Sequence, residues 1–456
     1  MARRAPLVEP SAEAPVRQAS RGVKDPVTAY HRLLEDGRLA EASAEALTEG
    51  QRKRKLMFGE RPLSVALRPQ FLTRKRADQA IAAADGVHAA LASLERAVLK
   101  DADLRAELEL EPLEEQLAMA DPGCSSSSPS SRLDSFFSDE VRFVEYNAES
   151  PAGMAYGDNL SEVFAGLPVM KKFRKLYRGT FMSTRHRQLT SMLRAFKQWG
   201  RQRKPVIAIV DWGGLPTAPE FEMFKAFFES QAIKTVICDP RSLEYRHGRL
   251  YAGGVAVNLV YRRVLTSELL AKHEETRGLM DAYLAGAVCV INSFRAKLLH
   301  KKMSLALLSD PRYGRLYTAG QRAAIRRHIP WTRRVTPELE EEISRRRETL
   351  VLKPNDEYGG KGVILGWTVE QAEWDAAIGV ATTQSYVVQE AVEIPRVTFP
   401  VALDGLRYLD LAVDLDPYLF DGRTRGFMTR VSAAALLNVT AGAGSLVPTF
   451  VIEGSA

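Results

Sequence analysis

Apolar and polar positions divide the chain into stretches with different periods. Between residues 26 and 118 apolar residues recur at helical spacing among Glu, Lys and Arg. The stretch DPVTAYHRLLEDGRLA opens with Asp before Pro, a helix-start signal. A segment with two prolines, 61–73, interrupts this pattern, and helix is predicted again over 75–119. Residues 131–137 and 141–147 are short, apolar and aromatic-rich, separated by Ser138-Asp139-Glu140, which predicts a β-hairpin. Helix is expected again over 155–200. The runs VIAIVDW (206–212), TVICD (235–239) and VAVNLVYR (255–262), with an amphipathic stretch at 219–230, predict a parallel α/β layer. Helices are expected at 264–285, 294–308 and 337–347, with a loop at 328–337. Strands are expected at 349–354, 363–367 and 386–392, then a long β-rich stretch at 398–431. The sequence shows no internal repeat.

A chain of 456 residues is long enough for more than one lobe, and 45% apolar with 26% charged residues is ordinary for a globular protein. No apolar run approaches the roughly 20 residues of a membrane helix. Residues 1–25 have no apolar signal core and read as a disordered tail. The Ser/Pro-rich stretch 121–132 reads as a flexible loop. Cys124, Cys238 and Cys289 are widely spaced, which fits a reducing, cytoplasmic setting and no metal-ligand pattern. The net charge of +7 raises the question of nucleic acid. The basic runs at 52–55 and 345–347 lack interleaved aromatics, so a solvated Arg-rich surface and a small anionic ligand account for it better.

Several constellations carry chemistry. In ETLVLKPNDEYGGKGVILG (348–366) a strand presents Lys353 and leads into Gly359, Gly360 and Gly362. Glycines without Cβ let backbone N–H groups close over phosphate oxygens, with Lys353 and Lys361 supplying charge. The Walker spacing is missing, and a plain glycine-rich hairpin turn is the alternative. In YVVQEAVEIP (386–395) the segment Gln389-Glu390-Ala391-Val392 would present backbone to an adenine edge, or be an ordinary buried strand. Glu145 and Asn147, two apart on a strand, share a face. With a four-residue loop at 138–141, Phe137 pairs with Arg142 and Asp134 lies opposite Glu145. That oxygen-rich set suits Mg²⁺, and burying two like charges calls for a metal or Arg132. Lys301 and Lys302 sit near a helix start, where a lysine reaches a phosphate or is simply solvated. Arg262 and Arg263 end a predicted parallel strand, a place where an arginine fork would hold a substrate carboxylate. Trp331-Thr332-Arg333 and Arg430 are further substrate candidates. Asn438 and the run 441–445 either close over the site or form a turn. Asp414 and Asp416, next to Pro417, read as a surface loop. The seven histidines form no cluster.

These segments, in this order, resemble the circularly permuted ATP-grasp proteins, particularly the glutathionylspermidine synthetase-type family. Arg132-Leu-Asp134 and Glu145-Tyr-Asn147-Ala-Glu149-Ser-Pro151 match its metal segment, which precedes the two ATP lysines. Leu298-Leu299-His-Lys301-Lys302 matches the first lysine segment, Leu352-Lys353-Pro354 and the glycines match the second, and Tyr386-Val-Val-Gln389-Glu390 matches the adenine hinge. The resemblance covers roughly 130–456, and residues 1–120 match nothing in it. It implies that Asp134, Glu145 and Asn147 hold Mg²⁺, and that Lys302 and Lys353 contact ATP phosphates with Gly359, Gly360 and Gly362 as the lid. Gln389, Glu390 and Val392 would meet the adenine, while Arg132 would steady the transferring phosphoryl group. The implied fold is α/β (α+β in detail): an ATP-grasp core, an α/β substrate lobe and a helical N-terminal extension. The implied division is a tail at 1–25, helices at 26–120, the metal-binding part of the palm at 121–198, the substrate lobe at 199–295, the ATP lobe at 296–400 and the rest of the palm at 401–456. The implied activity is ATP-dependent joining of a carboxylate to an amine through an acyl-phosphate. An ATP-grasp phosphotransferase and a non-catalytic ATP-binding scaffold are the alternatives.

Overall fold

The apolar run at 206–212 forms strand Ile207–Val210, whose four side chains are all buried. In this computed structural model, which describes residues 25–200, 204–434, 437 and 442–455, that strand lies at the centre of a parallel sheet. Thr235–Cys238 pairs with it on one side, and Leu259–Arg262 followed by Cys289–Ile291 on the other. The chain thus winds in both directions from Ile207–Val210, which opens a crevice at the carboxyl ends of the strands. The single strand expected over 255–262 is broken at Asn258, whose side-chain oxygen accepts from the Val206 N–H at 2.7 Å. Val255–Val257 instead joins a small antiparallel sheet with Arg249–Ala252 and Leu243–Arg246.

The second sheet is antiparallel and carries the glycine-rich segment. Leu350–Pro354 pairs with Ile364–Leu365 on one edge and Tyr386–Glu390 on the other. Thr332–Arg334, inside the expected loop 328–337, pairs with Tyr386–Glu390 and closes the sheet. The helix Gln371–Ala381 covers it with Trp374, which is fully buried and donates to the Ile343 carbonyl at 3.1 Å.

The third sheet joins sequence-distant parts. The hairpin Ser130–Phe137/Val141–Asn147 is completed by Asp416–Phe420, Arg423–Ser432, Leu406–Val413 and Arg396–Ala402. Strands before and after the second sheet in sequence therefore form one surface. The hairpin differs in detail from expectation. Phe137 pairs with Val141 and Phe136 with Arg142, giving a three-residue loop, and a bulge between Asp134 and Ser135 restores the Asp134–Glu145 pair. One extra residue on a strand shifts the register by one.

Three further expectations need correction. Helix over 155–200 is interrupted by strand Tyr177–Phe181, which pairs with Thr449–Ser455. Thr449–Ser455 also pairs, in parallel, with Gln70–Thr73. The Ser/Pro-rich stretch is not a solvated linker: Ser127, Ser128, Ser130 and Ser131 are buried, and the Ser127 carbonyl accepts from both the N–H and the hydroxyl of Ser293 at 3.0 Å. Asp414 and Asp416 are buried rather than on a surface loop, because Asp416–Phe420 is an inner strand of the third sheet.

The N-terminal helices pack on these sheets. Asp25 caps Pro26–Leu34 by accepting from the Thr28 N–H at 2.9 Å. Arg74–Val98 buries Ala77, Ala84, Val87, Leu91 and Leu94 in the core shared with Leu298, Leu305 and Phe143. Of the expected tail, only Asp25 lies within the described residues; Asn438 and residue 441 also fall outside them. Among the described residues no helix is long and apolar enough to cross a membrane.

Candidate functional site

A cavity of about 520 Å³ lies between the second and third sheets. Arg132, Asp134, Glu145, Asn147 and Arg430 line it from the third sheet. Lys353, Gly359, Gly360, Gln389, Glu390 and Val392 line it from the second sheet and its loops, and Lys302 from a helix start. Most of the residues singled out in sequence thus meet in one place.

The third-sheet wall is a dense charge network. Arg132 grips Asp134 with two bonds, Nε to Oδ1 at 2.7 Å and Nη2 to Oδ2 at 3.0 Å. Asn147 donates to Asp134 Oδ1 at 2.8 Å, and Arg430 Nη2 to Asp134 Oδ2 at 2.9 Å. Arg430 also binds Asp414 through Nε at 2.5 Å and Asp416 through Nη2 at 3.0 Å. Burial pushes the Asp134 carboxyl up, but Arg132 and then Arg430 outweigh it and hold it below the ordinary carboxylate range. Burial dominates at Asp416, with Asp134 and Asp414 adding repulsion, so its carboxyl stays protonated well above the usual range. Asp414 is raised as well, by burial, against the pull of Arg430.

The opposite wall holds the two lysines. Lys302 Nζ donates to the Glu357 carbonyl at 2.6 Å and pairs with Glu145 at 3.2 Å. Lys353 Nζ donates to the Val144 carbonyl at 3.1 Å and to Gln389 Oε1 at 2.7 Å. Burial lowers the Lys353 ammonium to about 8, opposed by Glu145 and reinforced by Lys302. Gln389 is fixed in turn by donating to the Thr332 hydroxyl at 3.0 Å. Glu390 pairs with Arg346 at 2.6 Å. Val351, Val363, Leu365, Trp367 and Ile394 add an apolar slot beside the hinge. Gly359, Gly360 and Gly362 all have positive φ, at 66°, 78° and 71°, so the loop's path depends on glycine.

Several candidates do not line the cavity, among them Lys361, Gly362, Arg262, Arg263 and Arg333. Lys361 is exposed and pairs with Glu357 at 2.9 Å. Gly362 backs the loop, where an added Cβ would stand 2.7 Å from Pro354 Cγ. Arg262 is fully buried and bonded to Glu149 at 2.9 Å, to the Asn292 and Val264 carbonyls at 3.1 Å and to the Thr266 hydroxyl at 3.1 Å. Arg263 is bonded to the Pro151 carbonyl at 2.8 Å and to Glu220 at 3.4 Å. Both arginines fasten the α/β lobe to the residues after strand Val141–Asn147, and their guanidinium Nη groups are taken by protein partners. Arg333 likewise turns to Ser309 and the Thr332 carbonyl. Asp414 and Asp416 line the cavity and were missed. Their alternate spacing next to Tyr418 and Phe420 was the available signal, and Pro417 obscured it.

A family model for circularly permuted ATP-grasp type 2 proteins matches residues 137–439, and the chain belongs to that family. The glutathione synthetase-like effector of Globodera pallida, solved in its apo form, aligns with a TM-score of 0.59 at 13% identity, over 94% of this chain and 98% of that one. A provisionally assigned gamma-glutamylcysteine synthetase from Methylobacillus flagellatus KT aligns with a TM-score of 0.38 at 8% identity, over 75% of this chain and 82% of that one. At such identities the first likeness is one of fold, and the second is too weak to add to it. No curated protein matches the sequence.

Proposed function

We propose that this chain is an ATP-dependent ligase that joins a carboxylate to an amine through an acyl-phosphate. The observation that carries this reading is the meeting of Lys302, Lys353, Gln389 and the glycine loop with Asp134, Glu145 and Asn147 around one cavity of nucleotide size. The synthetase likeness of the first structural relative supports a ligase reading over a phosphotransferase.

In this proposal the apolar slot at Val351 and Leu365 takes the adenine, with hinge backbone at Gln389–Val392 along its edge. Lys302 and Lys353 neutralise the phosphates, and backbone N–H groups at Gly359 and Gly360 close over them. The donor set fits Mg²⁺. Asp134 and Glu145 oppose each other on paired strands, and Asn147 follows on the same face. Among the described residues no three His, Cys, Asp or Glu side chains form a ready metal cage. The Asn147 amide oxygen would join the two carboxylates in holding the cation, an all-oxygen set of the kind Mg²⁺ takes. Bound there, the cation supplies neutralisation of the phosphate oxygens. Arg132 is held by Asp134 through Nε and Nη2 and by the Ala152 carbonyl through Nη1 at 3.2 Å, and its fixed charge would steady the transferring group.

The chemistry balances in two steps. A substrate carboxylate oxygen attacks the γ-phosphorus, and ADP leaves. The amine nitrogen then attacks the acyl carbon, phosphate leaves, and the nitrogen loses a proton. The protein's part is positioning and electrostatics.

The test is Mg²⁺-dependent ATP binding and phosphate release, on wild type and on Glu145→Ala and Lys353→Ala. Tight binding abolished by both substitutions, with phosphate release only when an acid and an amine are both present, supports the ligase. ADP formed without a joined product points to a phosphotransferase. Absence of binding by folded wild type removes the reading.

A further inference from the structure

Besides the 2.6 Å bond from Lys302 to the Glu357 carbonyl, two ties fasten the glycine-rich loop, and both lead to the first turn of one helix, Thr266–Ala271. The hydroxyl of Tyr358 donates to Glu268 Oε1 at 3.0 Å. The other oxygen of Glu268 accepts from the Leu265 N–H at 3.0 Å and caps that helix. At the base of the loop Asp356 takes the Lys297 ammonium at 2.5 Å. The same ammonium stands 3.3 Å from Glu149, which also accepts from the Thr266 hydroxyl.

The ties differ in strength. Lys297 and Glu149 are fully buried, so the Asp356 anchor is costly to break. Tyr358 is 53% exposed, and its bond competes with water. Directly after the latch the loop holds Gly359 and Gly360, both at positive φ and both lining the cavity. With Asp356 and the Glu357 carbonyl held, the loop from Tyr358 onward can swing once Tyr358 lets go. The helix that holds Tyr358 directly follows strand Leu259–Arg262, at the crevice where the parallel sheet changes winding direction.

We propose that Glu268 and Tyr358 are positioning residues that latch the glycine loop to the α/β lobe, so that this lobe governs opening of the cavity. The consequence for nucleotide entry rests on the function proposed above. The latch itself is tested without nucleotide.

Hydrogen exchange of residues 355–363 is measured in the full chain as wild type, Tyr358→Phe, Glu268→Ala, the double variant and Glu268→Gln. Loss of one ordinary hydrogen bond is expected to speed exchange of the loop about fivefold in Tyr358→Phe and Glu268→Ala. The double variant should exchange no faster than either single one. Glu268→Gln keeps one acceptor oxygen for the Leu265 N–H and can donate its NH2 to the Tyr358 oxygen, so exchange should stay near wild type. Because Glu268→Ala also removes a helix cap, Tyr358→Phe carries the decision: unchanged exchange there overturns the latch, and so do additive effects. A second arm follows association of Mg·ATP, which should quicken by a similar factor in Tyr358→Phe; an unchanged rate overturns the gating role. Failure of wild type to bind ATP would refute the nucleotide reading, while the exchange result would still decide the latch.

Discussion

Lys353 donates a 2.7 Å hydrogen bond to the side-chain oxygen of Gln389, which lies on the neighbouring antiparallel strand. The bond orients an ammonium that burial has already brought down to about 8. A lysine so placed changes charge within an accessible pH range.

A phosphate in the cavity favours the charged amine, so binding above that pH draws a proton onto Lys353. Affinity for Mg·ATP should therefore fall as pH rises beyond about 8, by up to about tenfold per unit. Folding responds in its own sense. A depressed lysine contributes stability that is present above its ordinary value of 10.5 and is lost as pH falls to about 8. Calorimetry at pH 7 and 9 in buffers of different ionisation enthalpy measures the proton uptake. Equal uptake by Lys353→Met would clear Lys353 of this role.

Arg430 stands among Asp134, Asp414 and Asp416. Replacing it by Met leaves three buried carboxylates sharing one wall with Arg132, and should cost on the order of 3 kcal/mol in denaturant titrations. The raised Asp416 carboxyl keeps its proton more tightly folded than unfolded. Its contribution is full below the ordinary carboxylate range and is lost as pH rises through its elevated value. The Arg430→Met loss should thus be smaller at pH 5 than at pH 8; a loss independent of pH would count against this account.

Glu149 lies at the meeting point of Arg262, Lys297 and Thr266, with no exposure. Opposing burial, Lys297 and then Arg262 hold its carboxyl well below the usual range. Glu149→Ala removes the carboxylate partner of buried Arg262 and one of those of Lys297, and should cost about 3–5 kcal/mol. Lys361→Ala, at an exposed pair, should stay within about 0.5 kcal/mol. Comparable losses in the two variants would contradict this ranking.

Gly362→Ala places a Cβ against Pro354 at a φ of 71°, and should cost about 1–2 kcal/mol while weakening nucleotide binding through a displaced loop. Wild-type affinity in this variant would show that the loop's path is not set there.

Local pattern was legible in sequence, and long-range pairing was not. The Asp134–Glu145 pairing could be read because side chains alternate along a strand, and a bulge corrected the loop length without moving that pair. Lys302, Lys353 and Gln389 could be singled out from short motifs, and the fold brings them to one cavity. Asp414 and Asp416 were hidden because Pro417 mimics a turn, whereas the inner strand accepts it without needing its missing N–H. Arg262 and Arg263 misled because a strand end predicts a ligand site only if its charges are left free. Glu149 and Glu220, distant in sequence, had already claimed them.

The small sheet built around Thr449–Ser455 bears on synthesis. Its two neighbours, Gln70–Thr73 and Tyr177–Phe181, leave the ribosome long before the strand that separates them. Until then the nascent chain carries two unpaired edges with nothing between them, and apolar Phe71, Leu72 and Phe181 stand there without Phe450 and Val451. A stalled or shortened chain would expose that gap to chaperones and to other chains.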